Sequence, residues 1–335
     1  MKTGLFTGML ATLMAALTAL SSPAMADTIL LHTGGAPDGK GSTYHQGMGA
    51  GVVEALDPIL DEYGLEIARK PSGGATDNAA QVASGADMLE LGIGQGGLSY
   101  PEVDSGDVII VRKDLPGECA MAFTTEPAIG SWGDIVKNAG RITWVVPENS
   151  GSAAFLERLY AEDENFQGNT PSFQYVSGAD NILATVTDPA NRGTVGFYYA
   201  YPNPTDGLVN MAAEADANIF GVLSPDIART DDAYYLNRKA PYELSWFGLG
   251  ETKTTRAMCS KALLFAKNPE TIEDSWAAAD ARDILKKIES LPASAFIPEG
   301  GPLAKLMTEV EGLSEEYGVN DMVEDLETQI RDAAR

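Results

Sequence analysis

One pattern occurs twice in this chain: an apolar extended run, a glycine- and hydroxyl-rich turn, then a helix. From Thr28 to Thr33 the residues are apolar enough for a buried strand, and residues 34–44 carry four glycines before opening a helix predicted over 43–60. Met48, Val52, Ala55, Leu56 and Ile59 stripe that helix at helical spacing, and Pro58 is expected to distort or stop its last turn. A second extended run, 65–69, leads through Pro71 to Thr76 into a helix expected over 77–84, and a third strand, 89–93, leads to Gln95. After residue 140 the order recurs: strand 141–146, turn 148–152, helix 153–160, strand 173–176, turn 177–180, a helix to about 187 and strand 194–199. Strands alternating with helices imply parallel sheets with right-handed crossovers. In such sheets small ligands bind where strands end and helices begin, because free backbone N–H groups and the helix dipole favour an anion there.

Between and after these units the pattern loosens. Val108–Val111 reads as a short buried strand and 115–124 as a separate extended segment leading out of the first half. Residues 201–256 are broken by Pro202, Pro204, Pro225 and Pro241; a strand returns at 261–266, and helices are expected over 270–291, 302–317 and 321–333. Residues 1–26 read as a signal peptide, with Lys2 ahead of an apolar stretch and a small-x-small site at Ala24–Ala26. A soluble, periplasmic protein is the expectation. Forty-eight acidic residues against 23 basic ones give a net charge of −25, which argues against nucleic acid as a partner. Cys119 and Cys259, in an oxidising compartment, form either one disulfide or two buried thiols.

The loop 34–41 comes close to a phosphate-binding P-loop but has Gly41 where a hydroxyl must follow Lys40, so no nucleotide, and no cofactor, is expected. The hydroxyls of Ser42, Thr43 and Tyr44, together with Thr33, remain able to cradle a carboxylate; ordinary helix capping is the plainer role. Asn149 to Ser152 is the matching corner of the second half, where Ser150, Gly151 and Ser152 meet a helix start. Gln95, polar among glycines at a strand end, faces the crevice in such folds. Neither His32 nor His45 has the neighbours of a triad or a metal site, so no metal centre and no catalysis are expected. Tyr198–Tyr199, Tyr234–Tyr235 and Trp246–Phe247 are candidate aromatic walls, and Arg69, Lys70 and Arg112 candidate charge partners for a carboxylate; packing and solvation are their commoner roles.

These residues resemble a known family. Thr33–Gly35 followed by Gly41–Tyr44 is similar to the opening motif of the TAXI-type solute receptors of TRAP transporters; Ser72–Asn78, Val82–Asp87 and Gln95 are similar to its next block, and Trp132–Ile135 with Glu148–Ser152 to its second-lobe block. An insertion at 36–40 and the C-terminal helices depart from the family pattern. The resemblance implies an α/β, two-lobed type II periplasmic binding protein fold with two hinge-crossing strands. Lobe one would be 27–120 plus 260–335 and lobe two 121–259, and the hinge position of Cys119 and Cys259 would favour their pairing. It implies capture of a small carboxylate or amino-acid-like metabolite for a TRAP-type membrane permease, with Thr33, Ser42, Thr43, Tyr44, Gln95, Ser150, Gly151 and Ser152 at the ligand. Rival readings are an adaptor for a sensor or an ABC transporter, and an exported enzyme on the same fold.

Overall fold

A computed structural model describes residues 27–34, 48–85, 87–148, 150–178, 180–200, 207–244 and 251–296. The strands are β1 (Thr28–Gly34), β2 (Glu66–Ser72), β3 (Leu91–Gln95), β4 (Val108–Thr124), β5 (Thr143–Pro147), β6 (Ser172–Val176), β7 (Thr194–Ala200), β8 (Asn218–Gly221), β9 (Tyr234–Leu244) and β10 (Glu251–Lys267). The helices are α1 (Gly49–Asp61), α2 (Ala75–Ser84), α3 (Pro101–Asp104), α4 (Trp132–Lys137), α5 (Gly151–Glu162), α6 (Asp180–Thr187), α7 (Gly207–Glu214), α8 (Pro225–Thr230) and α9 (Ser275–Ser290).

The two sequence units become two parallel three-stranded sheets with the same order, β2-β1-β3 and β6-β5-β7. Two long antiparallel strands join them. The C-terminal part of β10 pairs with β3, and the C-terminal part of β4 pairs with β7 in the same sense. Between these ends β4 and β10 pair with each other, and Cys119 stands directly opposite Cys259 in that ladder. The two are joined as a disulfide. The result is an α/β fold of two similar lobes joined by two crossing strands.

Alternation at period 2 explains why these strands hold two layers apart. Along β10, Ala262 and Leu264 enter a core with Ile29, Leu31, Leu56, Ile284 and Ile288, while Leu263 and Phe265 enter another beneath α2. Along β4, Ala120 and Ala122 face the core of Trp144, Phe155 and Phe197, while Met121 and Phe123 face that of Ile182 and Leu208. The halves echo each other in detail: Phe265 lies opposite Gly92 and Phe123 opposite Gly196. A Cβ on Gly196 would come within 2.7 Å of both the Phe123 ring and Ile182, so the bare strand is what lets α6 settle there.

Several local expectations need correction. Val108–Val111 and 115–124 are one continuous strand, carried through its interruption by irregular register against β10. The stretch 201–256 holds regular elements among its described residues: Pro225 occupies the first turn of α8 behind the Ser224 cap, a position where a missing N–H costs nothing. Pro58 does not end α1, which runs on to Asp61. The final described helix starts at Ser275, not 270, because Asp274 caps it by accepting from the N–H groups of Trp276 and Ala277. The helices expected over 302–317 and 321–333 lie outside the described residues.

Candidate functional site

The two lobes meet where β3 ends and α5 begins. Gln95 is the last residue of β3 and is buried. Tyr100 fixes its backbone: the phenol donates to the Gln95 carbonyl at 2.8 Å and accepts from its N–H at 2.9 Å. The side-chain Nε2 donates to Oε2 of Glu118, a buried carboxylate on β4, at 3.0 Å. A carboxylate only accepts, so this bond decides which end of the amide is which and turns Oε1 the other way. Oε1 is buried and has no hydrogen-bond partner among the described residues.

Across from Oε1 stands Gly151, the first residue of α5. A Cβ there would lie 2.2 Å from Gln95 Oε1 and 2.6 Å from Leu98 Cδ1, so any other residue would have to push those two side-chain ends aside. Ser150 caps α5, accepting from the Ser152 N–H at 3.3 Å while its own hydroxyl donates to the Pro147 carbonyl at 2.8 Å. The first turn of α5 directs its remaining N–H groups and the positive end of its dipole toward the lobe junction.

The turn after Gln95 is clamped from lobe two. Gly97 adopts φ +77°, and a Cβ on it would lie 2.1 Å from the Tyr234 ring, so conformation and space both demand glycine. Its carbonyl accepts from Arg158 Nη1 of α5 at 2.8 Å. The same guanidinium donates to Asp231 at 2.5 Å and Glu162 at 2.9 Å and lies 5.4 Å over the Tyr234 ring. Burial works against its charge, but Glu162 and Asp231 outweigh that and hold its pKa above the ordinary arginine value. Burial pushes up the phenols of Tyr100 and Tyr199, and that of Tyr234 to about 12 despite nearby Arg158, so all three stay neutral.

Of the residues singled out from the sequence, Gln95 and Gly151 come together, with Ser152 buried next along α5 and Ser150 capping the helix. Thr33 is buried at the end of β1, on the strand beside β3, where its carbonyl accepts from the Ser72 hydroxyl at 2.8 Å. Ser42, Thr43, Tyr44 and His45 lie outside the described residues, as do Asn149, Trp246 and Phe247. The Ser72–Thr76 turn is occupied structurally: Ser72 binds Asn78, whose amide donates to the Ile93 carbonyl at 2.7 Å. Tyr199 and Tyr234 belong to one packed core. Arg112 faces no cleft; it is buried against the end of α9. His32 pairs with Glu90 at 2.6 Å inside lobe one.

Glu118, Arg158 and Tyr100 were not singled out from the sequence. A charged residue opening the apolar run 118–123 was the available signal for Glu118. Arg158 sits on an ordinary amphipathic helix and gives none.

No family model matches the sequence. No curated protein matches it. Similar solved structures include an ancestral arginine-binding protein bound to glutamine, 12% identical over 79% of this chain and 93% of that one, with a TM-score of 0.43. A structure described as a periplasmic transporter is 13% identical over 94% of this chain and 97% of that one, also at 0.43.

Proposed function

We propose that this chain is an exported solute receptor that closes its two lobes on a small carboxylate or amino-acid-like metabolite and passes it to a TRAP-type permease. It binds without covalent chemistry, needs no cofactor, and acts in the periplasm after loss of residues 1–26. The observation that carries this reading is the meeting of Gln95 from one lobe with the Gly151 end of α5 from the other. The helix start offers donors and a positive dipole to a carboxylate. Gln95 Oε1, held away from Glu118 and buried beside Gly151, offers an acceptor to an ammonium or hydroxyl once the lobes part. The TAXI-like motifs of the sequence support the same reading. Among the described residues no helix is long and apolar enough to cross a membrane.

The test is thermal unfolding against a panel of amino acids, hydroxy acids and dicarboxylates. A ligand at a hundred times its Kd adds about 2.7 kcal/mol of stability. Failure of every organic acid and amino acid to raise the midpoint would sink the receptor reading.

A further inference from the structure

α5 of lobe two touches the Gln95–Leu98 turn of lobe one at two places two helical turns apart. At its first residue, bare Gly151 rests on the Gln95 amide and on Leu98. Further along, Arg158 reaches the Gly97 carbonyl at 2.8 Å. These contacts use protein groups only. The guanidinium is aimed before it makes that bond: Asp231 and Glu162 hold it from either side, and the Tyr234 ring lies beneath it. All three belong to lobe two. If the lobes part, Arg158 keeps its two carboxylates and loses a single bond, so opening leaves no stranded charge. The acceptor is a backbone carbonyl in a turn whose shape is set by the positive φ of Gly97, packed on Tyr234.

We propose that Arg158 is a positioning residue that straps the start of α5 against Gln95, so that the closed cleft forms from protein contacts alone before a ligand arrives. The proposal rests on the receptor reading for its purpose, but its geometry stands apart from ligand identity. The strap biases the ligand-free protein toward closure, so a ligand must wait for opening to enter and then leaves slowly. Gly151 is the gauge of that closure, since any side chain there meets Gln95 and Leu98 first.

The experiment needs no ligand. Asp57→Cys on α1 and Gln167→Cys beyond α5, both at exposed positions, carry spin labels in the full chain; the native cysteines are tied together and take none. Pulsed EPR then reads the distance between the lobes. The parent is expected to show a dominant short-distance population. Arg158→Ala should lower the closed-to-open ratio at least tenfold, the size expected for a lost hydrogen bond to a charged donor. Arg158→Lys, which keeps charge and a donor, should fall between them. Gly151→Ala should lengthen the distance with Arg158 intact. Circular dichroism checks that each variant folds; if Arg158→Ala does not, Arg158→Lys and Gly151→Ala carry the test. A ligand-free parent already open overturns the strap, as does a distance distribution that none of the folded variants changes. A failed ligand panel would remove the receptor reading and leave these distances standing.

Discussion

Arg112 illustrates how a charge placed inside a lobe does structural work. Its guanidinium donates to the Ile288 and Leu291 carbonyls at the end of α9, pairs with Asp114 and lies over Phe296. A cation suits the negative end of a helix dipole, and here it also satisfies carbonyls that the helix cannot. Arg112→Ala strands those carbonyls and should cost about 1–3 kcal/mol in urea unfolding; a change under about 0.5 kcal/mol would contradict this account. The hydrogen bond from Arg112 is the main cause holding the Asp114 carboxyl below its ordinary range, against the effect of burial. Its folded pKa is therefore lower than its unfolded value of about 3.9. The stability it contributes is present above that value and is lost as pH falls through the folded one. Asp114→Asn should accordingly narrow the stability gap between pH about 5 and about 2, read as urea midpoints across that range. From sequence, Arg112 read as a carboxylate partner or a solvated side chain. Besides nearby Asp114 its acceptors are carbonyls 176 and 179 residues away, and no local pattern announces so distant a helix end.

Caps and strands differ in how readable they are. The Asp274 cap is local, one carboxylate accepting from Trp276 and Ala277 at 2.8 and 3.0 Å, and those bonds hold its carboxyl below the usual range. Asp274→Ala should lower the midpoint in thermal or urea unfolding, while Asp274→Ser should restore most of it. Short extended runs identified β1, β5, β6 and β7 to within two residues, because each is self-contained and bounded by turn chemistry. β4 and β9 were harder. Lys113 to Gly117 looks like a break, yet β4 continues because β10 lies beside it. β9 contains Pro241, which reads as a break, yet runs on through it beside β10, the next strand of the chain. Strands that depend on a distant neighbour carry little of their own signal.

The disulfide at the crossing of the two lobes acts on the entire chain. It closes a loop of 140 residues, for which the chain-entropy account expects up to about 5 kcal/mol. Unfolding with and without reductant, or in the Cys119→Ala, Cys259→Ala double variant, should show a loss of about 2–5 kcal/mol; equal midpoints would refute a stabilising bridge. The corners of the site were visible beforehand because glycines and hydroxyls cluster where strands turn into helices. How they combine was not, since the contact of Gln95 with Gly151 depends on the angle at which two distant sheets meet. One consequence concerns birth order at the ribosome. β5 to β8 and their partner β4 are all synthesised by residue 221, whereas β3 has no neighbour on its outer side until β10 emerges some forty residues later. The first-made sheet is thus the last to be finished, and a chain cut short before β10 would leave it with an unclosed edge for chaperones or proteases to find.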